Sequence, residues 1–424
     1  MTYNSPKGTS DYFGEDIKYR NFILKIAREL FDIYNYSEII TPHFEYSEVF
    51  ARGIGENSEI VQKEMFNFFD KKGRSLTLRP EGTASIVRAV IENKLYLENL
   101  PLKLFYIGSM FRYERPQKGR MREFVQIGVE AIGSDNPALD AEIIWLLNTL
   151  FEQIGFKNLV LHINNIGCLE CRQEYLKALE NYLKPFKEQL CPDCVSRVDK
   201  NTLRVFDCKV STCKEILKNS PKIDSYLCSK CKAHFEKVVE LLDVLGINYF
   251  YNQGLVRGFD YYTRTVFEIV SKDIKSAQNA LGGGGRYDNL IEEFGGPKLS
   301  STGFAIGLER TVLLMKRLNI EINSYLAENK KVYVISMDTK FDKFLFEVLK
   351  FLRDNKVICD TNFNIKNISK EIKLAKEKKY NFIIIVGENE VNNNFITIKN
   401  LNSFSQEEFN WLDKKTEILN FLKN

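Results

Sequence analysis

Histidine is scarce. The 424 residues include three, His43, His162 and His234, widely separated. A three-histidine metal site or a serine–histidine triad would need the fold to gather them from distant stretches, so those chemistries are set aside first. Net charge is also small: 60 Lys and Arg against 56 Asp and Glu leave +4. That is too little for a chain coated in basic side chains, so any polyanion contact has to be local. No apolar run approaches the ~18 residues of a membrane span, and residues Met1–Tyr12 lack the apolar centre of a secretory leader. The expectation is a cytoplasmic chain with no membrane partner. With 44% hydrophobic and 27% charged residues, the chain has the composition of a globular protein of about two to three domains.

Cysteine, by contrast, is concentrated. Nine cysteines in a chain without a leader argue against a disulfide framework, because a cytosol keeps thiols reduced. Eight lie between Cys168 and Cys231: three CxxC pairs, Cys168/Cys171, Cys191/Cys194 and Cys228/Cys231, together with Cys208 and Cys213. Paired CxxC elements are what a tetrahedral thiolate site requires, and Cys191, Cys194, Cys228 and Cys231 are the candidate ligands of a structural Zn²⁺. The alternative is a set of small buried thiols or the remnant of a lost site. Cys359 stands alone and reads as core filler.

Apolar residues Tyr19, Ile23, Ile26, Ala27, Leu30 and Phe31 follow helical spacing and predict an amphipathic helix from about Glu15 to Tyr34, then a short strand Glu38–Thr41 stopped by Pro42. From Leu102 to Ile132 the period changes to two on both sides of a charged turn, Glu114–Arg122, predicting a long antiparallel hairpin. Residues 168–235 are Lys- and Cys-rich with weak periodicity, as an insertion would be. Leu255–Val270 looks strand-like. The glycines Gly282–Gly285 follow, then a strand Ser301–Ile306 leading into a helix Gly307–Leu318. After a polar linker, Glu321–Lys330, strands Val332–Ser336, Val357–Asp360 and Asn381–Val386 alternate with helices Phe341–Asp354 and Ser369–Lys379, predicting a small α/β domain with a mainly parallel sheet.

Five segments carry candidate chemistry. In the second hairpin strand, Gln126, Gly128 and Glu130 point opposite to Val125, Ile127, Val129 and Ala131, placing an amide and a carboxylate beside a glycine. The first strand ends at Phe111-Arg112-Tyr113, and the turn adds Glu114, Arg115, Lys118, Arg120 and Arg122, which can clamp a polyphosphate or form a solvated loop. Glu81 and Thr83 flank Gly82 and can receive an ammonium group, although a helix N-cap is the commoner role for such a Thr. Arg257-Gly258-Phe259-Asp260-Tyr261-Tyr262 sets a cation and two phenols beside a glycine, but aromatic strands usually fill cores. Gly282–Tyr287 fits neither a P-loop nor a Rossmann turn and can be a flexible linker. Arg310 falls in the first turn of a helix, an anion site in principle and a surface residue by default.

In order along the chain these segments resemble the three motifs of the class II aminoacyl-tRNA synthetases. Within that class, "LRPEGTA" (78–84), "FRYERPQKGRMREF" (111–124), "LVRGFDYYTRTVFE" (255–268), "GGGGRYD" (282–288) and "GFAIGLER" (303–310) are similar to the bacterial-type histidyl enzymes. The likeness spans nearly the whole chain. It implies an α/β architecture: an α+β catalytic domain, residues 1–323, with a mixed antiparallel sheet of class II type, and an α/β anticodon-binding domain, residues 324–424. The implied activity joins L-histidine to ATP as histidyl-adenylate and passes it to tRNA(His), with Mg²⁺ on the phosphates. The substrate carboxylate is the nucleophile, which agrees with the scarcity of histidine.

By the same resemblance Arg112 holds the α-phosphate, Arg310 the γ-phosphate, and Glu114 belongs to the ATP site. Arg257 bridges the histidine carboxylate and α-phosphate. Glu81, Thr83 and Gln126 surround the amino acid backbone, Glu130 and Tyr262 meet the imidazole, and Tyr261 lines the pocket. Gly82, Gly128, Gly283 and Gly284 let backbone approach the ligand. The family is homodimeric, implying an interface over Glu15–Pro42, and Lys366, Lys370 and Lys373 would form a basic face. The cysteine-rich insertion is not a family requirement, so zinc rests on spacing alone. A histidine-sensing regulatory paralogue is the rival, but such proteins as a rule lose the arginines and the C-terminal domain. Another class II synthetase is opposed by Arg257–Tyr262.

Overall fold

The computed structural model of the chain describes residues 3–55, 58, 60–116, 119–273, 280–322, 330–361, 363 and 367–423. It divides into two compact units, Met1–Ile322 and Asn323–Asn424. Lys118, Lys366 and residues 323–329 of the linker lie outside the described residues.

The first unit is built on an eight-stranded sheet. Its strands run, across the sheet, Ser37–Glu38, Leu102–Phe111, Glu123–Ile132, Ser301–Gly307, Ala280–Tyr287, Thr263–Ser271, Leu159–Asn165 and Tyr249–Tyr251. The six inner strands are antiparallel, and each short edge strand pairs parallel with its neighbour. The expected strand Glu38–Thr41 shrinks to the two residues Ser37–Glu38 beside Leu104 and Phe105. Helix Pro137–Ile154 packs on the sheet, burying Ile143, Ile144, Leu147, Leu150 and Phe151. Its first turn is fixed by the Asn136 side chain accepting from the Ala138 N–H at 2.9 Å, and it ends at Gly155 with φ 105°, a backbone that favours glycine. Helix Glu15–Ile33 buries the expected stripe Ile23, Ala27, Leu30 and Phe31. Ile86, Val87 and Val90 of helix Thr83–Glu92 pack with Tyr106, Tyr261, Tyr262 and Tyr287 into a separate aromatic core.

Two readings change. Leu255–Tyr262 is a loop, and the strand begins at Thr263. The aromatic run resembles a strand because Tyr261 and Tyr262 are buried, but they are buried as loop residues packed into that aromatic core. The insertion is helical: Leu169–Leu183, Pro192–Lys200, Ser211–Lys218 and Ser229–Val244, with its own small core of Tyr175, Leu179, Leu183, Val205 and Leu217.

The second unit is a five-stranded sheet ordered Ile358–Thr361, Lys331–Ser336, Phe382–Val386, Phe395–Asn400, Gln406–Asn410. The first three strands are parallel, as the alternating pattern predicts. The last two are antiparallel and were not anticipated. Among the described residues no helix is long and apolar enough to cross a membrane.

Candidate active site

A crevice of about 540 Å³ opens in the first unit, and Glu81, Thr83, Arg112, Glu114, Gln126, Glu130, Arg257, Tyr261, Tyr262 and Arg310 all line it. Five separate stretches of chain deliver them. The period-two hairpin turns Gln126 and Glu130 toward the crevice, and both are nevertheless almost wholly enclosed. Thr83 Oγ1 donates to Glu130 Oε1 at 2.7 Å, and the Tyr287 hydroxyl donates to Glu130 Oε2 at 2.5 Å. Burial pushes the Glu130 carboxyl up to about 8 despite these two donors. Glu81 is also raised, first by burial, although its two oxygens accept from the backbone N–H groups of Thr83 and Ala84, each at 2.7 Å. Glu81 therefore supplies the cap of helix Thr83–Glu92 that a Thr hydroxyl more often provides. Burial likewise raises the phenols of Tyr261 and Tyr262, keeping both as neutral donors.

Above this floor stand the cations. Arg112 donates to the Pro80 carbonyl at 2.9 Å and sits over the Phe124 ring, 5.2 Å from its centroid. Arg257 pairs with Glu268 at 2.9 Å, which holds its charge against the cost of burial. Arg310, half-buried in the first turn of helix Leu308–Arg317, is hydrogen-bonded to no described residue; burial and then the like charge of Arg120 weaken its hold on its proton. Cations kept apart by fixed elements and facing one hollow make an anion site. Glu114 contacts Arg120 at 3.3 Å at the rim.

Gly82 is not part of the lining. A Cβ there, or at Gly128, would run into the ring of Tyr106, so these glycines make room for a tyrosine sandwiched between them and not for the ligand. Gly283 and Gly284 lie in the central strand Ala280–Tyr287, where an added Cβ would strike the backbone of Phe267 and Gly303 respectively. Close strand approach, not linker flexibility, accounts for this run. The quartet Cys191, Cys194, Cys228 and Cys231 is not brought together as one site. Cys191 and Cys194 group with Cys208 and Cys213, whereas Cys228 and Cys231 group with Cys168 and Cys171, because the two CxxC pairs open different helices.

Sequence reasoning missed several lining residues: Tyr106, Tyr287, and Arg197, Arg204, Asp207 and Lys209 of the insertion. It also missed the fully buried Arg286, which donates to Asp140 at 3.0 Å while His234 meets the same carboxylate at 2.5 Å. The network anchors the residue next to Tyr287. A tight "RYD" after four glycines is the available signal. Nothing in the weakly periodic insertion marked Arg204.

A family model described as histidyl-tRNA synthetase matches residues 8–311, and one described as an anticodon-binding domain matches residues 331–420. The chain is similar to a histidine–tRNA ligase of Halothermothrix orenii, 44% identical over 96% of this chain and 97% of that protein. It is also similar to one of Thermodesulfovibrio yellowstonii, 45% identical over 96% of each. The crystal structure of apo S. aureus histidyl-tRNA synthetase superposes with a TM-score of 0.83 at 36% identity, covering 100% of both chains.

Proposed function

The chain belongs to the histidyl-tRNA synthetase family, and from that premise we propose how its crevice divides the work. The reaction has two steps: histidine and ATP give histidyl-adenylate and diphosphate, and the histidyl group then passes to tRNA(His). The observation that carries the assignment of roles is the placing of Arg112, Arg257 and Arg310, from three separate elements, over a floor of enclosed carboxylates and phenols.

In this reading Arg112 binds the α-phosphate and Arg310 the far phosphates, the charge-poised positions described above. Arg257 stands between histidine carboxylate and α-phosphate and stabilises the charge that builds there as the carboxylate attacks phosphorus. Fixed guanidinium forks suit this because they are always charged and already oriented. Glu81, Thr83 and Gln126 hold the ammonium end, and Glu130 and Tyr262 the imidazole nitrogens. Tyr261 closes the pocket wall. A buried carboxylate and phenol left unpaired by an analogue without a ring N–H penalise that analogue heavily. Mg²⁺ suits a site with carboxylates Glu114 and Glu268 in its lining, since this ion is held mainly by substrate phosphates and one or two carboxylates. It would supply charge neutralisation at the β- and γ-phosphates.

We further place tRNA(His) anticodon recognition in the second unit, a homodimer contact on the first, and the working compartment in the cytoplasm. Support for the homodimer comes from exposed Ile33, Ile40, Phe44, Phe68 and Phe69, which lie in or beside the Glu15–Pro42 region and the small sheet of Phe44–Tyr46, Ser75–Leu78 and Phe66–Phe69. The test of the whole assignment is ATP–diphosphate exchange with the twenty amino acids offered singly. Exchange should depend on histidine, and dependence on another amino acid would overturn it.

A further inference from the structure

The insertion contains two tight groups of thiols that the two-step reaction does not use. Cys168, Cys171, Cys228 and Cys231 have all four sulfurs within 4.8 Å of one another, and so do Cys191, Cys194, Cys208 and Cys213. The Sγ atoms of Cys168 and Cys171 are 3.5 Å apart and those of Cys191 and Cys208 are 3.7 Å apart. A tetrahedron of thiolates around a metal with bonds of about 2.3 Å has edges of about 3.8 Å. A disulfide would bring two sulfurs to about 2.0 Å, and all eight are free. Five are buried and three half-buried.

Backbone donors also point at the sulfurs: Cys228 N–H reaches Cys171 Sγ at 3.1 Å, and Cys191 N–H reaches Cys213 Sγ at 3.3 Å. Outer hydrogen bonds of this kind orient metal-bound ligands. The first cysteine of each CxxC pair immediately precedes a helix, and the second lies in its first turn, where the helix dipole favours a thiolate. Four sulfurs this close suit a single tetrahedral ion. The insertion is also a small module whose core already includes Cys194, Cys208 and Cys213, the situation in which a hydrophobic core alone is too small to hold a fold.

We propose that the insertion carries two structural Zn²⁺ ions, one in each cysteine tetrad, and that together they brace the loop Arg257–Tyr262. Each tetrad leads directly to that loop. Arg172, next to Cys171, donates to the carbonyl oxygens of Asp260 and Tyr262. Asn201, just past helix Pro192–Lys200, donates to Asp260 Oδ1 at 2.6 Å. Arg204, between Cys194 and Cys208, lines the crevice. Metal in either tetrad holds a segment that holds the loop.

The test is metal analysis of the full-length protein purified without oxygen or added zinc. Two zinc ions per chain are expected, falling to one in Cys208→Ser and one in Cys228→Ser. The native protein should expose a single reactive thiol, Cys359, and nine after denaturation with chelator. A zinc content near zero with nine free thiols, or iron in place of zinc, overturns the proposal, and this reading of the unaltered protein stands even if a variant fails to fold. Co²⁺ exchanged into the native protein should give the absorption of tetrahedral thiolate coordination at both sites; its absence counts against them. For the bracing role, Cys208→Ser should speed amide exchange at residues 257–262 and raise the KM for histidine more than that for ATP. Loss of one zinc with unchanged loop exchange refutes the brace while leaving the metal. Neither outcome bears on which amino acid supports diphosphate exchange, so the two proposals fail separately.

Discussion

Glu130 is a carboxyl that burial holds protonated up to about pH 8 in the free enzyme, yet in its proposed role it meets an imidazole whose N–H favours the ionised form. Histidine binding should therefore expel a proton between about pH 6.5 and 8, and affinity should climb with pH through that window, by up to about tenfold per unit. Titration calorimetry in two buffers of different ionisation enthalpy should detect close to one proton released at pH 7, and Glu130→Gln should abolish both the release and the slope. No release would remove the assigned role. The folding linkage has the opposite sign to the usual carboxylate. A folded-state value raised above the unfolded one gives stability that is fully present below about pH 4.5 and is lost as pH rises from there through 8. Glu130→Gln should then melt near the parent at about pH 4.5 and above it at pH 9, while its KM for histidine rises roughly 10- to 100-fold. Arg257→Ala should lower the rate of adenylation by about 10²–10³-fold with little change in ATP affinity, because its charge acts mostly in the transition state; equal loss in pre-steady-state rate and ATP binding would argue for a binding role instead. These residues were legible because each sits in a short, ordered motif. Tyr106 was not: its strand, Leu102–Phe111, reads as ordinary core, and only the two flanking glycines from other elements make room for its ring.

The helices and strands divide by how local their causes are. Helix Glu15–Ile33, the hairpin and strand Ser301–Gly307 follow from their own periodicity, so their limits were predictable to within a few residues. The run of four glycines was not, since its reason lies in the strands on either side. A side chain at Gly284 would meet the Gly303 backbone, which cannot move without breaking the ladder to Glu123–Ile132. Gly284→Ala should therefore cost about 1–3 kcal/mol or more by overpacking, read as a lowered denaturation midpoint with unchanged slope. A neutral midpoint would mean that the strands separate more easily than their pairing implies. Composition places the start of strand Thr263–Ser271 eight residues early, at Leu255, because buried aromatics in a loop satisfy the same composition rule as those in a strand. The last two strands of the second unit, Phe395–Asn400 and Gln406–Asn410, alternate too briefly among Asn and Glu to stand out from coil.

Across the whole molecule the charge is uneven. Residues Lys330–Asn424 carry 17 basic and 13 acidic side chains, so the net excess of +4 lies entirely in that stretch, and the remainder is balanced. Near-neutral overall composition thus hides a mildly basic second unit, and in the proposed function that unit is where tRNA contact should be read out. Lys370 and Lys373 are exposed on helix Ile368–Glu377, and the ion pair of Lys373 with Glu377, 3.9 Å apart, is itself exposed. Such a surface pair is worth little, leaving the ammonium groups available to phosphates. Each phosphate contact releases counterions, so a protein making one fewer contact loses about one unit from the slope of log affinity against log salt. Reversing both charges, Lys370→Glu with Lys373→Glu, should weaken tRNA(His) binding by an order of magnitude or more at about 0.1 M salt and flatten the salt slope by roughly two. Histidine-dependent ATP–diphosphate exchange needs no tRNA and should be unchanged in the same variant. A double variant that keeps the parental salt slope would show that this helix face is merely solvated. One that loses exchange as well would point to damage beyond tRNA contact, because the residues assigned to adenylation all belong to the first unit.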